Sequence, residues 1–133
     1  MNPRDEPPKI QDRVILTSDW CTSVIVPEIA DGVDRSNPGI YQWTIEGAGI
    51  YIGKYSNIRR PLKEYQRNVK RLLNGLHYRK GKPDGFRHIH HALAEAVRGK
   101  RKITLTILEN QPKEKLTQRE KDLIREIKPN LNR

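Results

Sequence analysis

The chain has 133 residues, with 26 Lys and Arg against 16 Asp and Glu, giving a formal net charge of +10 at neutral pH. That length suits one domain with a modest core, and 32% charged against 35% hydrophobic residues, with no apolar run near the roughly 20 residues of a membrane span, argues for a soluble globular chain rather than a membrane protein. One cysteine, Cys21, excludes an internal disulfide and a Cys-rich zinc site; with no apolar signal core in the first eight residues, it points to a reducing cytoplasm.

In chain order, residues 1–13 are Pro-rich and charged, a composition that predicts poor order. Val14 to Ile29 mixes apolar residues with Thr, Ser and Pro27, and Ser23-Val24-Ile25-Val26 is a candidate edge strand or short buried segment. Asp31 to Pro38 is a loop by its turn chemistry. Gly39 to Glu46 is β-rich, and Ile50-Tyr51-Ile52 is its partner through Glu46-Gly47-Ala48-Gly49, which makes a hairpin. Pro61 suits the first position of a helix, where a missing N–H costs nothing. Leu62, Tyr65, Val69, Leu72 and Leu73 then recur at helical spacing, with Lys and Arg on the outer face. Asn74-Gly75 ends that helix. A polar loop leads to a second helix from Phe86 to Arg98, stopped by Gly99. Ile103 to Glu109 alternates as a third strand. Thr117-Gln118-Arg119-Glu120 fits a capping box ahead of a last helix carrying Leu123, Ile124 and Ile127, which Lys128-Pro129 stops.

The expected architecture is therefore α+β, a small three-stranded sheet flanked by helices in the order ββααβα. Residues 1–38 read as an N-terminal extension and 39–133 as the domain. The positive charge is concentrated: between Lys54 and Lys82 stand ten Lys or Arg and one acid, Glu64. A second basic run, Arg98 to Lys102, follows. Such a field favours polyanions and salt-dependent binding to nucleic acid. The candidates for that contact are Lys54, Arg59, Lys63, Arg67, Lys70, Arg71, Arg79, Lys80 and Lys82.

Two tyrosines ten residues apart sit in matching triplets, Gly39-Ile40-Tyr41 and Tyr51-Ile52-Gly53, and the hairpin puts them on adjacent strands. This arrangement resembles the GIY-YIG nuclease family, and the resemblance runs from Gly39 to Asn132. It implies that Tyr41 acts on the attacking water and that Tyr51 holds the network or the scissile phosphate. It also implies that Glu120 binds a divalent metal, Mg²⁺ or Mn²⁺, with Glu109 as the substitute, and that Asn132 lies near the site. A phenol titrates near pH 10, so Tyr41 needs a cation or metal-linked hydrogen bonding to act as a base near neutrality. The family's arginine position, ten residues after the second tyrosine, holds Pro61 here, while Tyr65 occupies the later aromatic or histidine place. Arg60, Arg59 and Arg87 are the candidates for the missing guanidinium, and His88 or His91 for the family's histidine.

The resemblance implies an endonuclease that hydrolyses phosphodiesters, of DNA before RNA, with a possible dimer or larger complex to cut both strands. The alternatives are a nucleic-acid-binding module of the same fold that cuts weakly or not at all, and a protein-interaction module whose charge serves solubility. Trp20 and Trp43 are expected as core or cover and not as base-stacking platforms.

Overall fold

The computed structural model describes residues 19–132. The Pro-rich segment 1–13, expected to be poorly ordered, lies outside the described residues. A short helix, α1 (Asp19–Thr22), and a two-residue strand, β1 (Glu28–Ile29), come first. The hairpin follows as β2 (Gly39–Ile45) and β3 (Gly49–Tyr55). A π-helical turn (Arg60–Glu64) runs into α2 (Tyr65–Leu73), then α3 (His88–Arg98) and β4 (Ile103–Asn110). A 3₁₀ turn (Lys113–Lys115) leads into α4 (Leu116–Ile127). The class is α+β, and no helix among the described residues is long and apolar enough to cross a membrane.

The sheet has four strands in the order β1-β4-β2-β3, not the three expected. β1 runs parallel to β4, while β4, β2 and β3 are antiparallel neighbours. The two residues of β1 are too few for alternation to register in a sequence. The candidate edge segment just before it instead leaves Val24 and Val26 at 89% and 82% exposure.

Alternation along the strands builds two layers of core. Tyr41, Trp43 and Ile45 of β2 and Leu105 and Ile107 of β4 face α2 and α3, meeting Tyr65, Val69, Ile89 and Leu93. On the opposite face Ile40 and Ile52 pack under Leu116 and Leu123 of α4. Residues 19–38 are part of this packed unit. Trp20 meets Trp43 edge-on at 5.9 Å, Gln66 Nε2 donates to the carbonyls of Trp20 and Ser23, and Asn110 ties down Asp34 through its backbone N–H and C=O.

α3 ends at Arg98 with Gly99 as its cap, as expected, and starts at His88, two residues after Phe86. Gly99 has φ −84°, and Lys100 takes the left-handed turn at φ 53°, so that the Arg101 N–H reaches the Ala96 carbonyl at 2.9 Å. The capping box at Thr117 is not formed. Pro112 sets the 3₁₀ turn, which passes directly into α4 at Leu116, so Thr117 is already inside the helix. Its hydroxyl accepts from Lys54 Nζ at 2.7 Å instead, and Glu120 is released from the capping role.

Candidate active site

The β2–β3 register sets Tyr41 opposite Gly53 and Tyr51 opposite Trp43. The two tyrosines are therefore diagonal neighbours on one face, with ring centroids 6.4 Å apart. Gly53 is what lets Tyr41 lie down: a Cβ at position 53 would stand 2.3 Å from Tyr41 Cζ. The first turn of α2 adds Tyr65, buried, with its hydroxyl 2.5 Å from that of Tyr41.

Arg87, at the N-cap of α3, completes the cluster. Its Nη1 donates to the Tyr51 hydroxyl at 3.1 Å and its Nη2 to the Tyr65 hydroxyl at 2.9 Å. The guanidinium also lies 5.5 Å from the Tyr65 ring centroid, in cation–π range. Burial opposes the cation, but the Tyr65 and Tyr51 oxygens more than offset it and raise the Arg87 pKa further. Burial likewise pushes the Tyr51 phenol up to about 12, with the Tyr65 oxygen adding to the effect and Arg87 opposing it. Tyr41 is raised well above 10 by burial first, then by its two tyrosine neighbours. As the site stands, Tyr41 is a protonated phenol, the reverse of the depression that a base requires.

Arg87 is aimed by a histidine absent from the sequence candidates. His90 Nδ1 accepts the Arg87 backbone N–H at 2.9 Å, so Nε2 carries the ring proton. That N–H needs an acceptor, and the buried Asn68 amide lies 3.3 Å from Nε2; its oxygen is assigned inward by this partner logic. Tyr65, Tyr78 and Phe86 enclose the ring. Burial, then the positive charges of Arg87, His91 and Arg60, bring His90 down to about 4. Between about pH 4 and 6.5 the unfolded chain binds a proton that the folded chain refuses, so stability rises with pH across that window and is fully present above it. Glu120, raised by burial, contributes in the opposite sense. Denaturation midpoints at pH 4.5, 5.5 and 7 should therefore lose an upward trend in His90→Gln. A wild-type-minus-variant difference independent of pH would contradict this account.

Glu120 approaches from the other side of the sheet edge. β3 is an edge strand, and its outward N–H groups need partners. Ile50 N–H donates to Asn130 Oδ1 at 3.0 Å and Ile52 N–H to Asn132 Oδ1 at 2.8 Å, and the charge of Lys54 at the next outward position opposes the burial that raises the Glu120 pKa. Asn130 and Asn132 also return Nδ2 donors to the Ala48 and Ile52 carbonyls. Asn132 thus acts on the β3 backbone next to Tyr51 and does not line the pocket.

Tyr41, Tyr51, Gly53, Lys54, Arg60, Arg87 and Glu120 surround a pocket of about 200 Å³. The three arginine candidates separate here. Arg87 bonds the phenols, Arg60 lines the same pocket, and Arg59 lines only the larger groove beside it. His88 and His91 are exposed on α3, His91 touching the Phe86 ring. Glu109 is held by Arg119 through paired bonds of 2.8 and 2.9 Å, so it is no substitute for Glu120. His90 carried a sequence signal: with Leu93, Ala94 and Val97 it falls on the apolar i, i+3, i+4, i+7 stripe of α3.

No group of three or more His, Cys, Asp or Glu able to hold a metal exists among the described residues. The donor set here is one half-buried carboxylate beside phenols. It fits a hard cation that keeps most of its waters, Mg²⁺ or Mn²⁺, and does not fit zinc. Comparison of the chain with protein-family models, curated proteins and solved structures returned no match.

Proposed function

We propose that the chain is a metal-dependent phosphodiesterase of the GIY-YIG kind that cuts nucleic acid, DNA before RNA. The observation that carries this reading is the convergence of Tyr41, Tyr51, Arg60, Arg87 and Glu120 on one pocket of about 200 Å³. A phosphoryl group in that pocket would meet the guanidiniums of Arg87 and Arg60 and the ammonium of Lys54, which favour the charge that builds on its oxygens. Tyr51, already fixed by Arg87, can donate a hydrogen bond to one such oxygen. The Tyr41 oxygen, packed against Tyr65, can accept a hydrogen bond from the attacking water and hold it in line. A divalent cation held by Glu120 would polarise the phosphoryl oxygens and lower the pKa of the adjacent water and phenol, which the raised pKa of Tyr41 makes necessary.

The test is nicking of supercoiled plasmid at low salt with Mg²⁺ or Mn²⁺, using wild type beside Tyr41→Phe and Glu120→Ala of verified fold. Cutting by wild type that both variants lose supports the nuclease. Cutting that survives in both belongs to a contaminant and removes the site assignment. A salt-sensitive shift of the plasmid without any cutting assigns the chain to the binding-module alternative.

A further inference from the structure

A groove of about 740 Å³ lies beside the reactive pocket. One wall is the π-helical turn and the start of α2, with Arg59, Arg60, Lys63 and Arg67. The other is the 3₁₀ turn and the start of α4, with Lys113 and Thr117. Lys54 and Arg60 line both cavities, so pocket and groove adjoin. Six cations and a single acid, Glu64, border the groove. No direct ion pair among the described residues engages a groove cation, since the pairs fall on Arg98, Arg119 and Arg125. Arg59, Lys63, Arg67 and Lys113 are all exposed to a ligand.

Resting on the phosphodiesterase reading, we propose that this groove seats the substrate strand leaving the pocket, its phosphodiester backbone lying on Lys63, Arg67 and Lys113. A row of cations without a direct ion-pair partner, beside a phosphate-sized pocket, matches a ligand with repeated anionic groups. Lys113 joins the row from more than forty residues downstream, where no local pattern groups it with the others. The other basic residues expected at nucleic acid fall outside this groove. Arg71 Nε is engaged with the His77 carbonyl at 2.7 Å. Arg79 lies over the Tyr78 ring at 5.0 Å, and its backbone pairs with Lys82 to close the loop that carries Lys80.

The test compares two triple variants, K63A/R67A/K113A in the groove and K70A/K80A/K82A outside it. Each removes three positive charges, so net charge is matched. Binding of a fluorescein-labelled DNA duplex is followed by anisotropy from 50 to 300 mM salt without divalent metal, so that nothing is cut. Each phosphate that the protein no longer neutralises should lower the slope of log K against log salt by about 0.9. The groove variant should lose roughly 2–3 units of slope and the outer variant less than one. Equal losses in both, a larger loss in the outer variant, or equal competition by polyglutamate against wild type would overturn the proposal. Wild-type scission, measured separately with metal, isolates the other reading. Groove-dependent binding without scission by wild type retires the phosphodiesterase and leaves the groove as a nucleic-acid seat.

Discussion

Arg87→Ala is expected to lower metal-dependent strand scission about 100- to 1000-fold, the usual consequence of removing one preorganised donor from a site of developing charge, while leaving the chain folded. The guanidinium is fixed at three points. Its two nitrogens donate to Tyr51 and Tyr65, and the backbone at its base is held by His90. Losing it frees both phenols and removes a cation from the pocket wall in one step. Arg87→Lys should not restore the rate, because a single ammonium cannot span two hydroxyls in the fixed fork that a guanidinium provides. Arg60→Ala should cost less, since Arg60 lines the pocket but makes no bond to the phenols. Circular dichroism and denaturation midpoints establish that each variant is folded, and initial rates on plasmid give the comparison. If Arg87→Ala cuts within about threefold of wild type while Arg60→Ala does not cut, the phosphate clamp is Arg60, and Arg87 only braces the tyrosines.

The difficulty of reading that arginine from sequence is physical. The hairpin is legible because apolar and polar residues alternate from Tyr41 to Ile45 and because the glycine of each triplet marks a close approach, at Gly53 beneath the Tyr41 ring. Arg87 has no such local mark. It comes from a helix 36 residues beyond Tyr51, and only the packing of α3 against α2 brings it to Tyr65. His90 was readable from its place on the apolar stripe, yet the neighbouring His88 and His91 compete for attention in any sequence and prove to be exposed. Glu120 was obscured by a capping box that Pro112 preempts by starting a 3₁₀ turn earlier. β1 is two residues long and owes its existence to β4 alone. Short-range pattern, in each of these cases, determined the element or the face, and long-range packing determined the partner.

Gly53→Ala is the second large effect, and two opposing terms decide its sign. In the interior of a strand, Ala for Gly is ordinarily favourable by roughly 0.5–1 kcal/mol, because glycine loses more backbone entropy on folding. Here the added methyl would stand 2.3 Å from Tyr41 Cζ and 2.4 Å from its oxygen. The ring has no free direction, since Tyr51, Tyr55 and Tyr65 lie 5.9 to 6.4 Å from it centroid to centroid and Tyr41 is 1% exposed. Overpacking of this kind costs about 1–3 kcal/mol, so the clash wins and the variant should be destabilised. It should also lose scission beyond what stability explains, because the displaced hydroxyl leaves Tyr65 and the pocket together. A double-mutant cycle with Tyr41→Val separates the terms. Once the ring is gone the methyl has room, so Gly53→Ala should become neutral or stabilising in that background, a coupling of at least about 1 kcal/mol read from urea midpoints. Were Gly53→Ala to cost the same in both backgrounds, the clash with Tyr41 would not be the reason for glycine at this position. The second triplet's glycine would then belong to the strand backbone and not to the site.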